Sequence, residues 1–181
     1  MITRVDKTPD ECAANKSELA IEAETQRKAL YNQCIGLLAR RDYSQGELRK
    51  RFVGKFMPEV IEDVLHELGE KNYQSDARFA SSWVRHRASQ RYGEVRIKKE
   101  LREKRISQAD VANAFANNDI DWFALALEAW RKKFGRLANM DYAQRNKAYR
   151  HLLQRGFTYD QVQFALETGS AELNDQLPPS V

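Results

Sequence analysis

Cysteine, proline and glycine are scarce, with two, four and eight residues in a chain of 181. Cys12 and Cys34 match neither the paired spacing of a zinc site nor a disulfide framework. Cys34 lies among Leu30, Ile35, Leu37 and Leu38, where a reduced thiol packs as a small hydrophobe. So few glycines and prolines exclude a turn-dense β protein and suit helices joined by short loops. His66, His86 and His151 are far apart and form neither HxxxH nor HExxH, so no metal site is expected. The phosphate-cradling motifs GxxxxGK[ST] and GxGxxG are missing, and so is the nucleophile motif GxSxG. Carboxylates sit beside Lys or Arg on charged faces, and no apolar pocket that would raise a pKa can be read. Catalysis and a cofactor are therefore not expected. No apolar run has the length of a membrane span or the form of a secretory signal, so a cytoplasmic placement with no membrane partner is expected.

What is present is 42% hydrophobic and 31% charged residues, enough for a buried core and a heavily charged surface. An internal repeat organises them. Phe56, Ile61 and Leu65 recur as Ile106, Val111 and Phe115, and again as Phe157, Val162 and Leu166, offset by 50 and then 51 residues. After the first member of each set stand Met57, followed by Pro58, then Ser107 and Thr158. Serine and threonine cap helices, and proline suits a first helical turn. Upstream, Leu48/Phe52, Ile97/Leu101 and Ala148/Leu152 each share one helix face. Before each pair lies a further helical pattern, carrying Leu30, Cys34, Leu37 and Leu38; then Phe79, Trp83 and Val84; then Trp122, Leu125, Ala126, Ala129 and Trp130. The aromatic residues Phe79, Trp83, Trp122 and Trp130 fall at helical spacing on apolar faces and read as core.

The expected fold class is all-α: three tandem three-helix modules in an elongated array, straight or curved. The expected divisions are a polar, flexible extension over 1–28, modules over 29–75, 76–120 and 121–168, and a flexible tail over 169–181 containing Pro178 and Pro179. Helices of about 13 residues span about 20 Å, so three modules in a row reach roughly 60 Å. Such a surface fits a filament or a groove better than a small ligand.

Charge is uneven. The chain carries +4 overall, yet the segment from Arg85 to Arg105 has nine cations against Glu94, Glu100 and Glu103. The rest of the chain is therefore slightly acidic on balance. On a helical wheel Ile97 and Leu101 share the side that faces a core. Lys98, Arg102, Lys99 and Arg96 follow one another around the remaining arc, interrupted by Glu103 between Lys99 and Arg96. The candidate binding face is Arg85, Arg87, Arg91, Arg96, Lys98, Lys99, Arg102 and Arg105. Glu94–Lys98, Lys99–Glu103 and Glu100–Lys104 have the spacing of local pairs that support a solvated helix, each contributing only a few tenths of a kcal/mol. Smaller basic groups occur in the other modules, including Arg49, Lys50 and Arg51, and Arg145, Lys147, Arg150 and Arg155.

Three stretches carry a resemblance to a known family. They are Leu37-Leu38-Ala39-Arg40-Arg41-Asp42-Tyr43-Ser44 with Glu47-Leu48 and Phe52; Asp76-Ala77-Arg78-Phe79-Ala80 with Trp83-Val84-Arg85, Arg87, Arg91-Tyr92-Gly93, Ile97, Glu100-Leu101 and Ile106-Ser107; and Asp121-Trp122 with Ala126 and Lys133-Phe134-Gly135. Together they resemble the RecX family, over about Leu30 to Leu166. Glu94 stands where that family often has proline, and Asn72-Tyr73-Gln74-Ser75 replaces its usual linker. The resemblance implies three tandem three-helix repeats. It also implies a cytoplasmic regulator that binds the RecA nucleoprotein filament in its helical groove and inhibits extension, ATP hydrolysis, strand exchange and repressor cleavage. The expected partners are that filament and single- or double-stranded DNA, with the protein acting as a monomer. Two other readings compete. A standalone helical DNA-binding protein would place one helix in the major groove, although no helix carries a distinct base-reading set. A helical scaffold would be indifferent to charge reversal at Lys99 and Arg102.

Overall fold

The computed structural model describes residues 9–135 and 140–175, with side chains over 18–135 and 140–171. Its described elements are helical: α1 (Pro9–Leu38), α2 (Gln45–Phe52), α3 (Pro58–Glu70), α4 (Asp76–Ser89), α5 (Glu94–Glu103), α6 (Gln108–Ala116), α7 (Trp122–Phe134), α8 (Tyr142–Arg155) and α9 (Tyr159–Asp175). Among the described residues the β structure is a single isolated bridge, Val53 to Phe56.

Local chemistry sets the helix starts. Ser44 caps α2 in a reciprocal capping box with Glu47. Pro58 occupies the first turn of α3, where its missing N–H costs nothing. Ser107 Oγ accepts the Asp110 N–H at 3.0 Å to begin α6. Asp121 caps α7, and Asp141 with Gln144 forms a second capping box at α8. Thr158 Oγ1 accepts the Gln161 N–H, while Gln161 Oε1 accepts the Thr158 N–H at 2.9 Å.

Each triplet of helices closes on its own core. Leu30, Cys34, Leu48, Phe52, Ile61 and Leu65 are buried in the first. Phe79, Val84, Ile97, Leu101, Ile106 and Val111 fill the second. Ala126, Trp130, Ala148, Leu152, Phe157, Val162 and Leu166 fill the third. The repeated positions are therefore the buried ones, with Phe56 and Phe115 partly buried at the core margins. Burial pushes the Cys34 thiol up to about 11, which keeps it protonated and inert as a nucleophile.

The chain forms two compact units, residues 1–75 and 76–181, so the second and third triplets belong to one body. Three details differ from the sequence reading. α1 runs unbroken through residue 28, and Ala23 packs on the first core. Gln26 Oε1 accepts the Met57 N–H at 3.0 Å, and Arg27 pairs with Glu67. Partners on and beside α3 thus order turns that composition alone reads as a polar extension; residues 1–8 lie outside the described residues. α9 likewise continues to Asp175, with Gly169 against the Trp130 ring, while Pro178 and Pro179 lie outside the described residues. Trp122, although the first residue of α7, packs on the second core and stacks on Phe115 at 5.6 Å.

Candidate functional site: the cationic helix α5 and its supports

α5 is held by Ile97 and Leu101, both fully buried. Their spacing fixes the rotation of the helix about its axis and so decides which cations face inward. Arg87, one helix earlier, donates from Nε to Glu100 Oε2 at 2.7 Å and from Nη2 to Glu100 Oε1. Arg96 Nε donates to the same carboxylate at 3.1 Å, and Trp83 Nε1 at 3.2 Å. Burial raises the Glu100 pKa, but the hydrogen bonds from Arg87 and Arg96 outweigh it and hold the carboxyl below its ordinary value. Hydrogen bonding to Glu100 likewise raises Arg87, against its own desolvation.

Tyr92 sits within this cluster. The guanidinium carbons of Arg87, Arg96 and Arg155 lie 4.2, 4.4 and 4.8 Å from its ring centroid, within cation–π reach. Arg155 comes from α8 in the third triplet. Its guanidinium donates to the carbonyls of Arg91 and Gln90 at 2.8 and 2.6 Å. In return, the Gly93 N–H donates to the Arg155 carbonyl at 2.8 Å, and the Val95 N–H to the Gly156 carbonyl at 3.0 Å. The free donors at the start of α5 thus meet the free acceptors at the end of α8. The two backbones touch at Gly93 and Gly156, where a Cβ on either would overlap backbone atoms of the other triplet. Gly156 also has φ +90°, a conformation that favours glycine. Arg91 completes the joint by pairing with Glu128 at 2.6 Å, and Gln161 Nε2 donates to Glu94 Oε1 at 3.1 Å.

The eight candidate residues therefore fall into two groups. Arg87, Arg91, Arg96 and Lys98 are engaged in ion pairs, Lys98 with Glu94 at 2.7 Å. Arg85 is exposed and hydrogen-bonds Ser81 Oγ at 3.2 Å. Lys99 has 75% of its side chain exposed and sits 3.9 Å from Glu103, at the limit of an ion pair. Arg102 and Arg105 are exposed and make no ion pair among the described residues. Of the local pairs, Glu94–Lys98 and Lys99–Glu103 form, and Glu100 pairs with Arg87 and Arg96. Lys104 lies over the Trp83 ring at 4.2 Å.

Two open grooves flank α5. One, of about 610 Å³, runs between α5 and α8 and is lined by Val95, Arg96, Lys99, Arg102, Glu103 and Leu153 among others. The other, of about 820 Å³, lies between α5 and α6 and is lined by Lys98, Arg102, Ile106, Val111 and Phe115 among others. Arg102 lines both. Sequence reasoning missed Leu153, Gly156, Glu128 and Gln161 as neighbours of α5. Gly156 after Arg155 was legible as a helix stop, but nothing local says what it touches. Among the described residues no cluster of three His, Cys, Asp or Glu could hold a metal ion, and no helix is long and apolar enough to cross a membrane.

Comparison with known proteins gives consistent matches. Models of the first, second and third three-helix domains of RecX match residues 31–68, 75–114 and 119–166. A protein from Vibrio vulnificus named Regulatory protein RecX is 38% identical over 133 residues, covering 73% of this chain and 87% of its own length. One of the same name from Pasteurella multocida is 40% identical over 147 residues, covering 80% and 88%. The crystal structure of RecX from Lactobacillus salivarius superposes with a TM-score of 0.71 at 20% identity, covering 82% of this chain and 99% of that one. A second crystal structure, of a regulatory protein RecX, gives 0.73 at 20% identity, covering 92% and 83%. At that identity the two structures speak to fold alone.

Proposed function

The chain belongs to the RecX family, and on that premise we propose that it is a monomeric, cytoplasmic regulator that binds the RecA–DNA filament and inhibits its ATPase, strand exchange and coprotease activity. It acts by binding and not by catalysis. A protein that attaches across neighbouring protomers favours one filament state over another by its differential affinity for the two, and so slows growth or exchange. The observation that carries this reading is the exposed edge of α5. Lys99 and Arg102 on the helix, and Arg105 just after it, project outward, while the neighbouring cations are neutralised by Glu94, Glu100 and Glu128. Arg85 adds a fourth exposed charge from α4. In this reading the outward group meets acidic protein surface or DNA phosphate, and the engaged group fixes its position.

The test is RecA ATPase on single-stranded DNA with increasing amounts of the protein. A stoichiometric loss of turnover that weakens with salt is expected. No change at stoichiometric amounts in several salts overturns the reading. Footprints at particular DNA sequences without RecA would replace it with a standalone DNA-binding protein.

A further inference from the structure

We propose that the groove between α5 and α8 takes a protein segment, specifically a peptide stretch that presents an aliphatic side chain beside a carboxylate, and that this groove is where the chain grips the protein part of the filament. The inference rests on the filament reading above and assigns its contact chemistry.

Four observations favour a peptide. First, Val95 and Leu153 are 53% and 40% exposed and both line this groove, so it has an aliphatic floor open to solvent. A nucleic-acid backbone carries dense negative charge but offers that floor no aliphatic partner. Second, the rim is of mixed sign: Lys99 and Arg102 stand with Glu103, itself 64% exposed. A carboxylate on the rim repels a run of phosphates but tolerates a single acidic side chain directed at Arg102. Third, the spacing of an extended peptide suits the arrangement. Alternate side chains fall on one face about 6.6 Å apart, which allows one to enter the floor while the next reaches the rim. Fourth, the walls are fixed before binding. The Gly93–Arg155 and Val95–Gly156 backbone bonds and the Arg96 bond to the Gln154 carbonyl at 3.3 Å set the spacing of α5 and α8. A preformed groove spends little on ordering when it is filled. The groove between α5 and α6 is lined by Lys98, Arg102, Ile106, Val111 and Phe115 without a carboxylate, so it lacks the mixed rim that suits this peptide.

The experiment places the photocrosslinking residue p-benzoylphenylalanine at Leu153 of the full chain, and at Tyr142, which is 83% exposed, as a control. Each variant is co-sedimented with RecA filaments on single-stranded DNA and irradiated. The expected result is a protein–protein adduct from position 153, absent from position 142, mapping by mass spectrometry to a RecA segment that bears a carboxylate and an aliphatic residue. Leu153→Ser should weaken co-sedimentation about tenfold, the scale of one aliphatic side chain left in water, and leave binding to free oligo(dT) unchanged. Co-sedimentation without an adduct at 153, or an adduct to DNA, overturns the groove assignment and leaves the filament reading standing. Failure of the unsubstituted protein to co-sediment removes both.

Discussion

Arg87 and Arg102 belong to the same bundle and differ little in chemistry, yet their surroundings give them opposite work. Arg87 has 17% of its side chain exposed and is clamped on Glu100, with Trp83 and Tyr92 against it. Arg102 stands on the open ridge between two grooves with no ion-pair partner among the described residues. The inner cations brace the second triplet and, through Arg91 and Arg96, join it to the third, and the outer ones are left over for something else. Composition cannot separate these roles, because a pair that is part of the fold and a charge that awaits a partner count alike in a net-charge sum.

The contrast can be broken from the inner side first. Gly156→Ala puts a Cβ into the Arg96 backbone at a left-handed φ. It should cost unit 76–181 about 3 kcal/mol or more. Gly93→Ala should approach the same loss through overlap alone. Urea unfolding of the full chain checks both, and a change below about 1 kcal/mol would mean that the two backbones do not meet as described.

Glu100→Gln removes the carboxylate that Arg87 and Arg96 share and leaves Arg87 partly buried without its counterion. The same measurement should show a loss smaller than that of either glycine variant. It stays below the cost of breaking a fully buried pair, because Arg96 is substantially exposed and solvent screens its share. The pairing also predicts a pH dependence. The Glu100 pKa is lowered in the folded state, so its contribution is complete above its ordinary value of 4.5 and is lost as pH falls through the folded value. Unfolding curves between neutral pH and pH 3 should show a steeper acid loss in the unsubstituted protein than in Glu100→Gln. Parallel curves would remove Glu100 from this role.

The outer side should behave differently. Lys99→Glu with Arg102→Glu should change stability by less than about 0.5 kcal/mol, as surface substitutions do, while reducing filament co-sedimentation at least tenfold at low salt. Loss of stability comparable to that of Glu100→Gln would erase the contrast between the two sides. Unchanged co-sedimentation would move the contact off this edge and favour a scaffold indifferent to charge.

Much of the fold was legible because buried positions repeat. Ile97, Val162 and Leu166 are fully or almost fully buried where the periodicity placed them, and Ser107 caps where a cap was expected. The helical wheel set Arg96 and Arg102 equally far from the buried side of α5, but Arg102 is exposed and Arg96 half-buried, because Arg96 turns toward Glu100 and the Gln154 carbonyl. Less of the site was legible. Glu100 has the spacing of a local pair with Lys104, but no local signal shows that Arg87 reaches it from another helix with two donors in a bidentate contact. Trp122 carries the apolar character of its own helix and still packs on the preceding core, because it sits at the start of α7 beside Phe115.

The sequence by itself determined three helical triplets, their core positions, the caps at Ser107 and Thr158 and the concentration of positive charge in the second. Those features depend on neighbours within a few turns, which periodicity records. Only the tertiary structure decided which cations are spent and which remain, and where a groove opens between triplets. Those outcomes depend on Arg91 meeting Glu128, on Arg155 meeting the Arg91 carbonyl and on Gly93 meeting Gly156. Such contacts join residues distant along the chain, and they exist only once the second and third cores have formed and brought α5 against α8.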